Sequence, residues 1–180
     1  AMGGENSPKK IIDGINISLK TDQENFFYLF GKEEIIKKEI SKNRLLLQNC
    51  EIINTEDLIS DDESALTAAK KGKDSSMWLA VESVKNKSAD IVISAGNTGA
   101  LFVIAKLNLK MIPNIDKPAL SALWPNKKGM SVVLDLGANI ECNEKNLIDF
   151  SIMGAALFKS LFADETPKVA LLNIGSEEMK

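Results

Sequence analysis

The chain has 180 residues, of which 44% are apolar and 26% are charged, and its formal net charge is −3. These values are typical of one globular domain of roughly 100–200 residues, and the slight negative charge does not favour a nucleic acid as partner. The sequence contains no histidine. A Ser-His-Asp triad, a Cys-His pair and an H-E-x-x-H zinc site are therefore excluded within this segment, and any catalysis must use carboxylates, lysines, amides, hydroxyls or backbone N–H groups.

The pattern of apolar residues along the chain predicts helices that alternate with strands. Ser7 is expected to cap the first helix, with Pro8 in its first turn. The remaining predicted helices cover residues 32–42, 63–71, 77–87, 99–110 and 144–162, and the predicted strands cover residues 26–31, 50–54, 90–94, 117–125, 130–139 and 167–175. Because several strands are almost continuous apolar runs, we predict a single α/β domain with a parallel sheet covered on both faces by helices.

The two cysteines and the ends of the chain indicate its setting. Cys50 and Cys142 are far apart and form no CxxC motif, so we expect two buried, reduced side chains in a cytoplasmic protein. We find no signal peptide and no continuous apolar run of about 18 residues, so nothing in this segment is expected to span a membrane. The opening AMGGENSP is typical of a loop without its preceding strand, and LLNIGSEEMK stops where a helix should begin. We interpret the chain as an incomplete N-terminal portion of a longer protein.

Four loops at the ends of predicted strands carry the candidate site. They cover residues 2–4, 94–99, 135–139 and 173–180, and they are rich in Gly, Asn, Ser, Thr and Asp. In open parallel sheets, ligands bind outside the carboxyl ends of the strands. Glycine lets the backbone approach a ligand closely, and the helix N-terminus that follows offers N–H groups to an anion. The sequence therefore predicts a small anionic or phosphorylated ligand.

Each of these loops, taken alone, also has a purely structural explanation. Glycine after a strand is common in turns, and Asn97 with Thr98 could simply cap the following helix. Asp135 could be a helix cap or a buried, hydrogen-bonded carboxylate. Neither G-x-G-x-x-G nor G-x-x-x-x-G-K-[ST] occurs in the chain. The residues by themselves predict a class of ligand, but they do not predict a reaction.

The motifs AMGGENSP, SSMWLA, ADIVISAGNTGAL, DKPAL, VLDLGAN, IMG and PKVALLNIGSEEMK occur in an order and spacing that resembles the bacterial phosphate acyltransferases of the PlsX family. The resemblance covers almost the whole chain. It implies a three-layer α/β/α sandwich with a mostly parallel, Rossmann-like sheet, similar to phosphotransacetylases and isocitrate-type dehydrogenases. It also implies acyl transfer from acyl carrier protein to inorganic phosphate, which yields acyl phosphate for phospholipid synthesis.

The resemblance further implies a cytoplasmic homodimer that needs no cofactor and no metal, with a peripheral membrane contact through the family's C-terminal part. Phosphate is itself the nucleophile and a pantetheine thiolate is a good leaving group, so this chemistry suits a chain without histidine. The residues that it implies as catalytic are Asn97, Asp135, Asn139 and Lys180, the last as the cation that neutralises phosphate and developing charge. The residues that it implies as phosphate- or substrate-binding are Gly3, Gly4, Ser94, Gly96, Thr98, Gly99, Gly137, Asn173 and Ser176.

The sequence departs from the family's pattern in two places, and two other functional classes stay open. The family's opening usually has Asp, His, Ala and Pro after AMGG, whereas this chain has Glu5, Asn6, Ser7 and Pro8. WPNKKG stands where a Pro-Thr turn is commoner. A dehydrogenase- or phosphotransacetylase-like enzyme is one alternative, against which the absence of a dinucleotide fingerprint counts. A non-catalytic module that binds an acyl or phosphate ligand is the other, against which the set of polar loops counts.

Overall fold

The structure, a computed structural model, describes residues 1–173, with the exception of the Lys71 side chain. The chain divides into two compact units, Ala1–Lys110 and Met111–Lys180. The helices are α1 (Lys9–Thr21), α2 (Glu33–Ile40), α3 (Arg44–Asn49), α4 (Ala65–Lys71), α5 (Ser76–Lys85), α6 (Thr98–Leu109) and α7 (Glu144–Leu161), and the strands are β1 (Phe27–Gly31), β2 (Cys50–Asn54), β3 (Ser121–Asn126) and β4 (Gly129–Leu134). Among the described helices, none has both the length and the apolar character required to cross a membrane.

The first unit begins with a parallel strand pair covered by helices. β1 and β2 pair in parallel from Phe27 opposite Cys50 to Gly31 opposite Asn54. Helix α1 contributes Ile12, Ile15 and Leu19, which lie three to four residues apart and so share one face. These side chains join one buried cluster with Leu29, Ile36, Ile40 and Leu46. The alternation of strands and helices and the parallel pairing confirm the predicted α/β class.

A second cluster in the same unit holds α4, α5 and α6 together. It consists of Ala68, Ala69, Met77, Val81, Ala100 and Ile104, of which Val81, Ala100 and Ile104 are completely buried. Ser64 caps α4 by accepting a hydrogen bond from the N–H of Thr67, and Ser75 caps α5 by accepting one from Trp78. Helix α6 is therefore held by its buried face, while Thr98 and Gly99 at its start are exposed.

The second unit consists of a hairpin and one long helix. β3 and β4 pair in antiparallel fashion, from Ser121 opposite Leu134 to Asn126 opposite Gly129. Helix α7 starts with a capping box between Asn143 and Asn146. It packs closely on β4 at Gly154, where an added Cβ atom would lie 3.1 Å from Cδ1 of Leu134.

The structure corrects the predicted strands in three places. Residues 90–94 are not assigned as a strand, and Ile91 and Ile93 are 73% and 77% exposed. Residues 167–173 also have no strand assignment, and the remainder of that predicted strand lies outside the described residues. An apolar β-branched run indicates a tendency to form a strand, but a strand also needs a neighbouring strand with which to pair. The third correction is that β3 and β4 are antiparallel, since two residues connect them and a parallel pair needs a long crossover.

Two details of the helices were also predicted wrongly. Ser7 does not cap α1: its hydroxyl donates to the carbonyl oxygen of Gly3, and the N-cap position is Pro8, with no side-chain cap. Helix α3 was not predicted at all. It has six residues, too few to establish a periodic pattern, and its local signal is Asn43, which caps the N–H groups of Leu45 and Leu46.

Candidate functional site

Two glycine-containing loops of the first unit cross in direct backbone contact. A Cβ atom on Gly3 would lie 2.7 Å from Cα of Gly96, and one on Gly4 would lie 2.5 Å from the carbonyl oxygen of Ala95. Gly4 also has a φ of +85°, which favours glycine. Gly3 and Gly4 also line a surface pocket, together with Met2 and residues 58–61. Two loops that are some 90 residues apart in the sequence thus meet closely, because Gly3 and Gly96 carry no side chains where their backbones touch.

Asn97 stands at the start of α6 and uses its whole side-chain amide. Its Oδ1 accepts from the N–H of Ala100 at 2.9 Å, which caps the helix. Its Nδ2 donates to the carbonyl oxygens of Ser60, Asp61 and Glu63 at 3.4, 3.1 and 2.8 Å. Asn97 therefore caps α6 and also holds the loop that lines the pocket beside the glycine crossing.

The first turn of α6 offers donors to an anion. The N–H of Ala100 bonds to the Asn97 side chain, and the N–H of Leu101 bonds to the Asn97 carbonyl. Within residues 1–173, the structure assigns no hydrogen bond to the two preceding N–H groups, those of Thr98 and Gly99. Both residues are exposed. These groups lie at the positive end of the helix dipole, where a phosphate or carboxylate oxygen is stabilised.

In the second unit, the Asp135 carboxylate collects four donors at the end of β4. Its Oδ1 accepts from the backbone N–H of Leu120 at 2.9 Å and of Ala138 at 3.3 Å. Its Oδ2 accepts from the backbone N–H of Asn139 at 2.8 Å and from Nδ2 of the same residue at 3.0 Å. Desolvation by partial burial raises the pKa of Asp135, but these hydrogen bonds outweigh it and hold the pKa below its usual range. The carboxylate is thus ionised at neutral pH and its oxygens are occupied.

The loop that Asp135 closes has a defined shape. Gly137, at the tip of the loop, has a φ of +86°, a backbone conformation that residues other than glycine rarely adopt. Asn139, at its end, donates from Nδ2 to the carbonyl oxygen of Pro118 at 2.8 Å. The N–H of Leu136 bonds to the carbonyl oxygen of Leu120 at 3.0 Å. The 135–139 loop is therefore attached to the start of β3 as well as to itself.

The predicted site residues fall into three groups. In the first unit, the structure brings together Gly3, Gly4 and Gly96, with Ser94 accepting from the N–H of Gly96 at 3.3 Å and with Asn97, Thr98 and Gly99 at the following helix start. In the second unit it brings together Asp135, Gly137 and Asn139, whereas Asn173 is exposed. Lys180 and Ser176 lie outside the described residues.

Two further observations concern metals and thiols. Among residues 1–173, no three or more His, Cys, Asp or Glu side chains are grouped so as to hold a metal ion.

The expectation that both cysteines are buried is wrong for Cys142, which is exposed, and Cys50 is half-buried. Desolvation raises the pKa of the Cys50 thiol to about 11. Both thiols are free.

Lys145 is not among the site residues predicted from the sequence. This residue of α7 forms ion pairs with Asp149, four residues along the helix, and with Asp116, in the segment before β3. Its hydrogen bond to Asp116 raises the pKa of Lys145. The four-residue spacing of Lys145 and Asp149 was a readable signal, but the contact with Asp116 spans 29 residues and has no local signature.

Comparison with known proteins decides the family. The family described as "Fatty acid synthesis protein" matches residues 1–180. The chain belongs to this family. It is 68% identical over 180 residues to a protein of Pelagibacter ubique named "Phosphate acyltransferase", covering 100% of this chain and 54% of that protein. Proteins of the same name from Rhodopseudomonas palustris and Rhodospirillum rubrum are 45% and 42% identical over 100% of this chain and 52% of each relative.

These relatives confirm the resemblance to the phosphate acyltransferases that the motifs indicated. The chain spans about half the length of the curated relatives it matches. These relatives are thus nearly twice as long as this chain, and the matched residues include every loop of the candidate site.

Proposed function

We propose that the full-length protein transfers an acyl group from acyl carrier protein to inorganic phosphate and so forms acyl phosphate for phospholipid synthesis. The observation that carries this proposal is the glycine crossing beside the donor-rich start of α6, in a chain 68% identical throughout to a protein named "Phosphate acyltransferase". The family description, fatty acid synthesis, agrees with an acyl substrate.

The chemistry requires orientation and charge stabilisation rather than an activated side chain. A phosphate oxygen attacks the thioester carbonyl carbon and forms a tetrahedral oxyanion. Collapse of this intermediate breaks the carbon–sulfur bond and releases the pantetheine thiolate. The proton that the attacking hydrogen phosphate gives up protonates this thiolate, so the products are acyl phosphate and a free thiol. The protein must hold phosphate against the carbonyl group and stabilise the developing oxyanion, two effects that a site built from amides and backbone N–H groups can supply.

We assign the roles as follows. The N–H groups of Thr98 and Gly99 donate to phosphate. The loop whose carbonyl oxygens accept from Asn97 includes the acidic residues Asp61 and Glu63, so a phosphate bound here needs a compensating cation. Lys180 supplies that cation. Asn97 shapes the pocket wall and Asp135 with Asn139 orients the 136–139 backbone. The remaining substrate-binding positions are Gly3, Gly4, Ser94, Gly96, Gly137, Asn173 and Ser176.

The proposal includes the setting of the enzyme. We assign it to the cytoplasm as a homodimer, with acyl carrier protein as the acyl donor and with a peripheral contact at the inner face of the membrane through the part of the protein beyond this segment. No metal and no organic cofactor takes part, because phosphate supplies the nucleophile and the thioester supplies the activated acyl group.

The test is phosphate-dependent consumption of acyl-acyl carrier protein by the full-length protein, with acyl phosphate measured as product. Coenzyme A thioesters and NAD(P) serve as alternative substrates. We expect turnover only when phosphate and the acyl-carrier-protein thioester are both present. Reduction of NAD(P) without a phosphate requirement would overturn the proposal in favour of a dehydrogenase, and binding of phosphate or acyl ligand without any turnover would favour a non-catalytic module.

The residue assignments are tested with Lys180→Ala and Asn97→Ala. Asn43→Ala is the matched control for the second change, because Asn43 caps α3 in the same manner and lies outside the candidate site. Asn97→Ala and Asn43→Ala each remove a helix cap, and each change is expected to lower the free energy of unfolding by about 1 kcal/mol. Only Asn97→Ala and Lys180→Ala should lower the rate of acyl-phosphate formation, and wild-type turnover in both would refute the assignments.

A further inference from the structure

Lys145 joins helix α7 to the segment that precedes β3. Its Nζ lies 2.6 Å from Oδ2 of Asp116, 3.1 Å from Oδ2 of Asp149 and 3.2 Å from the carbonyl oxygen of Asn114. The side chain of Asp149 is only 9% exposed, whereas that of Asp116 is 56% exposed. The buried Asp149 therefore holds the ammonium group in place on the helix, and the ammonium group holds Asp116.

The segment formed by residues 114–120 is attached at its other end to the candidate site. The carbonyl oxygen of Pro118 accepts from Nδ2 of Asn139, and the N–H of Leu120 donates to Asp135. The carbonyl oxygen of Leu120 accepts from the N–H of Leu136 at 3.0 Å. Three hydrogen bonds thus connect the 114–120 segment with the 135–139 loop, and the ion pair of Lys145 with Asp116 connects the same segment with α7.

We infer that Lys145 and Asp116 are positioning residues for the 135–139 loop, acting through the 114–120 segment. Neither side chain has to touch the substrate for this role. Lys145 restricts where the segment can lie, and the segment supplies the Leu120 N–H and the Pro118 carbonyl group that fix the Asp135 carboxylate and the Asn139 amide. This inference rests on the proposed acyl transfer only for its effect on the reaction, since the effect on loop order is independent of substrate.

Asp116→Ala is the most informative change. It removes the ion pair between the helix and the segment but leaves the hydrogen bond of Lys145 to the Asn114 carbonyl oxygen and the ion pair of Lys145 with the buried Asp149, so it should cost little global stability. Lys145→Met breaks the same contact from the other side but also leaves Asp149 without its cation, which is expected to destabilise α7. Lys145→Arg retains a cation within reach of both carboxylates and is expected to restore function.

Two readouts are taken from each variant of the full-length protein. The first is hydrogen exchange of the Leu120 and Asn139 amides without substrate, which we expect to become faster in Asp116→Ala. The second is the kinetics of acyl-phosphate formation, in which we expect kcat to fall by about threefold to thirtyfold with little change in KM for phosphate. The control is Asp13→Ala, which removes the exposed ion pair of Lys9 with Asp13 in α1.

The outcomes separate this inference from the proposed function. If wild type forms no acyl phosphate, the proposed function fails, while amide exchange still reports whether Asp116 orders the loop. If wild type is active and Asp116→Ala matches Asp13→Ala in both exchange and kcat, the positioning role is overturned. Faster exchange with unchanged kcat also overturns it, because loop placement then has no effect on the reaction. Parallel losses in Asp116→Ala and Lys145→Met, with recovery in Lys145→Arg, support it.

Discussion

Replacement of Asp135 by Asn tests whether a single carboxylate orders the 135–139 loop. The change keeps the shape of the side chain but leaves one oxygen where there were two. In wild type each carboxylate oxygen accepts from two donors, and the four distances lie between 2.8 and 3.3 Å. In the variant, two of these donors face an NH₂ group that cannot accept a hydrogen bond. A hydrogen bond to a charged group contributes about 1.5–3 kcal/mol net. Because water can reach this partly exposed site and one contact is long, we expect a local loss of about 2–3 kcal/mol.

The assay is hydrogen exchange of the Leu120, Ala138 and Asn139 amides in the full-length protein. A loss of about 2 kcal/mol corresponds to roughly 30-fold faster exchange through local opening. The control is Asp22→Asn, since Asp22 is an exposed carboxylate that, within residues 1–173, accepts one hydrogen bond, from the N–H of Glu24 at 3.0 Å. Its neighbouring amides should change by less than about threefold.

Unchanged exchange at these three amides in Asp135→Asn would refute the reasoning, because it would mean that the backbone contacts of the loop suffice without the charge. Fast exchange in wild type and variant alike would have the same meaning, since the hydrogen bonds would then not protect the loop in solution. Slower acyl-phosphate formation should accompany faster exchange if the loop contributes to catalysis.

Three further predictions concern acid stability, packing and thiol reactivity. The pKa of Asp135 is lower in the folded protein than in the unfolded chain, so the ionised carboxylate stabilises the folded state. This contribution is complete above the unfolded-state pKa of about 4 and is lost as the pH falls through the folded-state pKa. Urea titrations should therefore show that the difference in free energy of unfolding between wild type and Asp135→Asn shrinks below about pH 4. In the same titrations, Gly3→Ala should destabilise the folded protein by about 1–3 kcal/mol, because the new Cβ would lie 2.7 Å from Cα of Gly96. The new Cβ of Gly14→Ala meets no described atom within 4 Å, so this change should stabilise α1 by about 0.5–1 kcal/mol. Cys142 should react with a maleimide at pH 8 while Cys50 stays unmodified, as its pKa of about 11 leaves little thiolate; equal labelling of both by mass spectrometry would contradict this.

Much of the order of elements was accessible from the sequence because its determinants lie within one turn of each other. Apolar residues of α1 recur at helical spacing, Ser64 and Ser75 stand where caps are needed, and the predicted strand 50–54 coincides with β2. The loops of the candidate site were also found in this way, since Gly, Asn and Asp clustered after apolar runs. The motif order further indicated the phosphate acyltransferase family, which the relatives confirm.

What the sequence by itself determined is therefore local: which residues form helices or strands and which turns carry polar groups. Only the tertiary structure decided which backbones meet. The crossing of Gly3 with Gly96, the antiparallel pairing of β3 with β4, the unpaired state of residues 90–94 and the bond from Leu120 to Asp135 each depend on this. The physical reason is that hydrogen bonds and close packing require two partners. A residue's own neighbours in the chain reveal its preference for a conformation but not the distant group that completes the contact.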